Sequence, residues 1–400
     1  MSRRDTAAWF VLALLALALG HTLSNLVRTI PAIAADLLQR DLGVDAQGLA
    51  WLTGAYFVAF TACQIPVGVA LDRFGIRPVS LALMGTVCVG ALIAAFAPGA
   101  WGFLLGQVVM GAGCSGMLLT PMAYAGKVLA PASFGLWSGL IQTVGNLGML
   151  LSASPAAWLI EAEGWRAAFL AAAFLAAAAF LLVRQVVPVL PPEAAPRRSI
   201  AAETAQVLRY LVAPALLPLV VISFASFAPV IGVRGLWGGP WLMEVKGLPR
   251  IAAGDLLLLG TAALIVGPAL SGMLDRRFGR RVALIAGGHL LAATALTGMA
   301  AGGALPPWWD GLMLVAFGLG ITSQPLIFAL VRELVPADQV GKAMAGVNLS
   351  FFAGAALLQA ASGPVAAAGG PGAAILFFGV VTAACTLAFL LLRARAMSHS

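Results

Sequence analysis

Apolar residues in this chain run for about twenty positions at a time, break for a few polar or turn-forming ones, and run again. A helix needs roughly 20 mostly apolar residues to cross the hydrocarbon of a bilayer. Laid along the chain, that length predicts twelve spans, at 9–35, 48–70, 79–97, 101–123, 135–158, 166–187, 213–241, 253–274, 282–300, 310–331, 342–366 and 372–392. The interruptions carry turn chemistry, as in Pro98-Gly99 and Pro306-Pro307. The fold class expected is an all-α membrane protein. The longest polar interruption, 188–212, holds Pro191, Pro192, Pro196, Arg197 and Arg198. It is too short and too polar for a domain, so it reads as a tether between six-span segments at 1–187 and 213–400.

Composition narrows the classes further. Of 400 residues, 61 % are AVILMFWYC and 10 % are charged, against about a quarter charged in an average soluble protein. A soluble enzyme, a secreted disulfide scaffold and a disordered chain are excluded. The 46 glycines suit close helix contact in a bilayer. Cys63, Cys88, Cys114 and Cys385 lie in apolar runs with no CxxC spacing and read as small apolar residues. Arg3-Arg4 before an apolar run could pass for a signal sequence. The run continues past His21 without a small-residue cleavage site, so a retained first span is expected.

The net charge of +8 would suggest nucleic acid in a soluble protein; here it follows from loop asymmetry. With the N-terminus placed in the cytoplasm, 17 Lys and Arg fall on the inner side and four on the outer, the bias of the positive-inside rule. Both termini are then cytoplasmic. The expected setting is a plasma membrane, and the Ala- and Gly-rich composition points to a bacterial one. The partners expected are membrane lipid and a small-molecule substrate, with no nucleic acid and a monomeric state.

Two stretches repeat. Gly68-Val-Ala-Leu-Asp72-Arg73-Phe74-Gly75-Ile-Arg77 follows the second span, and Gly272-Met-Leu-Asp275-Arg276-Arg277-Phe278-Gly279-Arg280-Arg281 follows the eighth. Gly68 and Gly272, like Gly75 and Gly279, lie 204 residues apart, which implies duplication of a six-helix unit. The G-x-x-x-D-R-x-G-x-R pattern, with Trp165-Arg166 and Phe169 at the start of the sixth span, resembles the major facilitator superfamily over the whole chain. That resemblance implies two pseudo-symmetric six-helix bundles and transport by alternating access. It also implies a gating role for Gly68, Asp72, Arg73, Gly75 and Arg77, and for Gly272, Asp275, Arg277 and Gly279. The loop aspartates would tie helix ends, and the arginines would anchor to lipid phosphate.

Arg28 and Arg234 are the two cations outside the loops, 206 residues apart. An arginine at the centre of a bilayer costs about 3 kcal/mol on insertion scales, so such residues usually face a watery cavity. The fifteen Asp and Glu are all placed at loops or span ends, which leaves an anion from solution as the expected partner. Guanidinium holds carboxylate or phosphate through two charge-assisted hydrogen bonds. The alternative is that Arg28 snorkels to the outer interface. Leu26-Val27-Arg28 with Pro31, and Arg234-Gly-Leu-Trp237 with Pro240, resemble the first and seventh helices of organophosphate:phosphate antiporters, whose matching arginines hold substrate phosphate. This chain departs from that pattern at Thr29 and at Gln64-Ile-Pro66, which leaves a small organic anion, carboxylate or organophosphate, as the expectation.

Other candidates for lining the substrate path share helical faces with these arginines or form stripes of their own. They are Asn25 with His21 on the first span, Tyr56 and Gln64 on the second, and Gln142 and Asn146 on the fifth. Trp237 and Trp241 on the seventh could hold an apolar body or belong to an interfacial belt. Gln324, Asn348 and Gln359 complete the set. His21 is the coupling candidate, since imidazole titrates near neutrality; His289 reads as packed. Uptake or exchange is the expected direction. A drug or metabolite exporter of the same fold is the alternative, and a sensor without flux is a third reading. No nucleophile–base pair, nucleotide loop or metal cluster stands out, so no enzymatic activity, cofactor or metal is expected.

Overall fold

The computed structural model describes residues 3–129, 131–190, 200–336 and 339–398. Every regular element among them is helical. Lipid offers backbone groups no hydrogen bonds, so long apolar runs must satisfy their own, and helices do so within one segment. Eleven helical stretches among the described residues are long and apolar enough to span a bilayer. The last runs Lys342–Arg395, 54 residues, or about 80 Å of helix at 1.5 Å per residue. That is more than twice the hydrocarbon thickness. Gly370 (φ 73°, ψ −178°) breaks it, between the two spans expected there.

Prolines explain most of the other breaks, because each lacks the N–H that would continue the helical ladder. The first helix, Arg3–Val27, ends three residues before the short turn Ile30–Ile33, which contains Pro31. Pro121 follows the step from Ala100–Cys114 to Leu119–Val128. Pro155 opens Ser154–Glu163 after Pro131–Leu151, and Pro325 opens Gln324–Leu334 after Pro307–Ile321.

Two expectations are corrected by the helix ends. The repeated motif was placed in loops, but Gly68–Phe74 closes the helix Ala46–Phe74 and Gly272–Phe278 closes Arg250–Phe278. Their arginines suit a last turn, where carbonyl groups point outward and cations are favoured. Gly75 (φ 83°) leaves helical geometry in the first motif, and Gly279 (φ 62°) with Arg280 (φ −111°, ψ 60°) in the second. The tether is the second correction. Residues 191–199, with Pro191, Pro192, Pro196, Arg197 and Arg198, lie outside the described residues, but Ile200–Leu211 is helical. Val207 on it is buried, Tyr210 donates a 3.0 Å hydrogen bond to Gln339 Oε1, and Gln206 accepts one from Lys342.

The chain forms two compact units. The first comprises Met1–Ile30, Asp41–Gly43 and Ala55–Ile200. In it Phe103, Trp165 and Phe169 pack edge to face at 5.6–6.0 Å between ring centres, and Trp165 Nε1 donates to Asp41. The second comprises Pro31–Arg40, Val44–Gly54 and Ala201–Ser400. Its core gathers Leu219, Ile222, Ile285, Ile327, Phe351 and Phe389. This grouping differs from a division at the tether, because two short segments of the first half join the second unit. Arg250 holds one of them with a two-pronged contact to Asp36 (3.0 and 2.7 Å) and a bond to Ile33 O. Gln359 holds the other through Thr53 Oγ1 at 2.8 Å.

Candidate functional site

In the first unit the break before Pro31 leaves Arg28 just past the helix end, where the backbone tightens into the bond Thr29 N–H to Leu26 O. Its side chain is 8 % exposed, buried within the protein. A polar chain leads to it along the face expected. Arg28 donates to Asn25 Oδ1, and Asn25 Nδ2 donates to Gly145 O at 2.8 Å. The Asn25 amide is thereby oriented with its oxygen toward the guanidinium. His21 lies one turn back, with its Nε2 3.5 Å from Asn25 Nδ2. Gly145 permits this approach: a Cβ there would collide with the His21 ring.

Tyr56, 1 % exposed, sets its hydroxyl 3.3 Å from Ser24 Oγ. Thr29, which stands where the antiporter pattern has a basic residue, donates to Asn25 O and meets Ser152 Oγ at 2.5 Å. Gln64 and Asn146 are half-buried. Ser24, Thr29 and Ser152 were missed in the sequence. Their only signal is a small hydroxyl inside a span, which in membranes serves helix contact as often as anything else.

In the second unit Arg234 lies within a π-helical turn, Val233–Trp237, and a second such turn covers Trp241–Val245. Single π turns inside α-helices are frequent at functional sites. Arg234 is 3 % exposed, and its Nε donates to Thr261 Oγ1 at 2.8 Å. The small cavity beside it is lined by Leu257, Leu264, Leu314 and Phe317.

The two tryptophans of this span do not form an open aromatic stripe, nor an interfacial belt. Trp237, 1 % exposed, donates to Ser362 Oγ at 2.8 Å, and Ser362 donates to Gln359 O. Trp241, 3 % exposed, donates to Asp310 Oδ1 at 2.7 Å. Asp310 and Lys246, read from the sequence as outer-end charges, are instead a buried ion pair at 3.1 Å, with side chains 0 % and 2 % exposed. Lys246 also donates to Gly302 O and Leu305 O. Such a pair is tolerated in a low dielectric because several partners surround each charge. Gln324 begins the helix after the break at Ser323 and is half-buried, as is Asn348. His289 bridges Ser226 Oγ (2.6 Å) and Ile285 O (2.8 Å) inside the core, a packed histidine.

The gating candidates differ between the repeats. Asp72 and Arg73 are exposed, while Arg77 donates to Arg184 O. Asp275 instead receives Arg281 Nε at 2.9 Å, and Arg281 also pairs with Glu333. Among the described residues no group of three His, Cys, Asp or Glu side chains could hold a metal ion.

Comparison with known proteins gives this geometry a setting. The profile of the Major Facilitator Superfamily matches residues 17–321 and again 239–399. A multidrug resistance protein B homolog of Mycobacterium tuberculosis is 25 % identical over 379 residues, 80 % of this chain and 69 % of that protein. A hexuronate transporter of Escherichia coli is 27 % identical over 180 residues, 44 % of this chain and 40 % of that one. Among solved structures, a POT family transporter in complex with 5-aminolevulinic acid superposes with a TM-score of 0.77 at 14 % identity, covering 97 % of this chain and 96 % of that chain.

Proposed function

The chain belongs to the Major Facilitator Superfamily and is a multi-pass membrane transporter, not an enzyme, and we propose that it carries a small organic anion by alternating access. Gly370 separates two crossings in this reading, which makes twelve, and the Lys and Arg count puts both termini on the cytoplasmic side of a bacterial inner membrane. The observation that carries the proposal is the burial of one guanidinium in each unit, Arg28 and Arg234, each at an irregularity in its helix. Burying such a charge is costly, so a charge kept inside a membrane bundle usually marks a functional site. The Asn25 amide and the Thr261 hydroxyl are among the groups that orient the two arginines. A carboxylate or phosphate is the ligand that a planar fork of donors fits. Likeness to a hexuronate transporter supports the same class.

The second reading is drug export, favoured by the longer match to a multidrug resistance homolog. Proteoliposome uptake separates the two. The protein is given a panel of carboxylates, hexuronates and organophosphates, with and without trans substrate or a pH gradient, and in parallel a cationic dye. The anion reading expects saturable uptake of at least one anion that Arg28→Gln and Arg234→Gln each abolish. Dye movement that survives both changes, with no anion transported, would establish export instead.

A further inference from the structure

A cleft of about 800 Å³ opens in the second unit where four helices end, among Arg276, Arg280, Arg281, Arg393, Leu330 and Leu390. Its two acids both pair with Arg281, Asp275 through Oδ2 while its Oδ1 is buried without a hydrogen-bond partner. Arg276 and Arg280 are exposed to the opening, and Arg393 Nε is buried with no hydrogen-bond partner. The cleft also takes in the start of the helix Arg281–Ala301, where Val282 and Ala283 line it and no side chain caps the first turn. Free N–H groups at a helix start attract anions. Gly279, in the left-handed region at φ 62°, turns the chain so that Arg276 and Arg280 flank this start.

The remaining wall is apolar, through Leu330, Leu390 and Val282. It runs on into apolar surface, for Phe278, Leu387 and Leu391 nearby are 57 %, 56 % and 64 % exposed. A free inorganic anion has no use for such a wall. A phosphate joined to an acyl chain does. The cleft also sits at the ends of membrane-spanning helices, the depth of lipid headgroups. Basic pockets between helices on the cytoplasmic side are a known means of headgroup recognition, and the Lys and Arg count assigns this end to the cytoplasm. Among the described residues the matching stretch of the first repeat is arranged differently. There Arg77, the counterpart of Arg281, reaches Arg184 O, Leu190 O crowds Gly75, and Ile76 stands where Arg280 is.

We propose that this cleft binds the phosphate headgroup of one anionic phospholipid, with Arg276, Arg280 and Arg393 as its cationic donors. The test uses the full-length protein in nanodiscs of phosphatidylcholine alone, or with phosphatidylglycerol or cardiolipin. Native mass spectrometry reads the lipid retained and thermal unfolding reads its effect. One anionic lipid should be retained per protein and the unfolding midpoint should rise over phosphatidylcholine alone. Arg276→Gln and Arg280→Gln should each weaken retention about fivefold, the worth of one arginine near a charged surface, and added salt should weaken it further. Both side chains are exposed, so neither change threatens folding. The control Arg184→Gln, also exposed, should leave retention unaltered.

Equal retention of phosphatidylcholine and phosphatidylglycerol would overturn the proposal. So would an Arg276→Gln/Arg280→Gln double variant that holds phosphatidylglycerol as the parent does, or a loss just as large with Arg184→Gln. A further arm adds inorganic phosphate to phosphatidylcholine nanodiscs. Stabilisation there, with displacement of phosphatidylglycerol in the mixed discs, would assign the cleft to soluble phosphate and reject the lipid.

Discussion

Arg28 in the first unit and Arg234 in the second are both buried, yet their surroundings differ. Around Arg28 polar side chains follow one another, from His21 to Asn25, and Asn25 bridges to a carbonyl of the neighbouring helix. Around Arg234 the walls are leucine and phenylalanine, relieved by Thr261. The means of interrupting the helix differ too: a break before Pro31 in the first unit, a π turn in the second. Under the proposed anion reading, the first unit would orient its arginine through a network, and the second would rely on an apolar setting, where low dielectric magnifies a charge's attraction for an anion.

The largest effects should come from the arginines themselves. Arg28→Gln and Arg234→Gln should each lower kcat/KM for anion uptake by about a hundredfold, the worth of charge-assisted bonds of about 2–3 kcal/mol. If the contrast between units holds, Arg→Lys should separate them. A lysine at 234 keeps the charge that matters there and should retain more transport than a lysine at 28, where a planar fork meets an oriented amide. Equal losses at the two positions would remove the contrast.

Next in size is Asn25→Leu. It strands Gly145 O and releases Arg28, so uptake should fall about tenfold, with the larger share in KM. Thr261→Val, its counterpart, should cost about threefold, because a single neutral hydroxyl bond is worth about 1 kcal/mol or less. Steady-state uptake by the two variants in the same liposomes makes the comparison direct. A Thr261→Val loss larger than that of Asn25→Leu would reverse the ranking of the two scaffolds.

Much of this was legible in the sequence because membrane helices obey simple rules. Length and apolarity located the spans, and the 204-residue spacing revealed the repeat. Spacing along a helix placed His21, Asn25 and Arg28 on one face, as the structure has them. What could not be read depends on three-dimensional closure. A helical wheel cannot tell that Trp241 turns to Asp310, because the partner lies 69 residues away on another helix. The motif at Gly68–Arg77 looks like a loop because it is polar. It stays helical almost to its end because nothing before Gly75 prevents it. The π turns of the seventh span left no signature beyond glycines and Pro240, which many regular membrane helices also contain.

The smallest effect should fall where a segment of the first half joins the second unit. Burial pushes the Asp36 carboxyl upward, but the hydrogen bonds and charge of Arg250 outweigh it and hold the group below the usual carboxylate range. A depressed folded value means that the stabilisation is present above the unfolded pKa of about 4 and disappears as pH falls through the lower folded one. The thermal midpoint should thus be level from pH 8 to 5 and decline below about pH 4, and Asp36→Asn should remove part of that decline. Because the Asp36 side chain is 41 % exposed, water and salt screen the pair, and the variant should cost less than about 1 kcal/mol at neutral pH. Transport gives the sharper readout. Asp36→Asn leaves both arginine sites untouched, so it should change the rate of uptake while KM for the anion stays put, whereas Asn25→Leu should do the opposite. A rise in KM with Asp36→Asn would mean that this tie also shapes the site holding the anion.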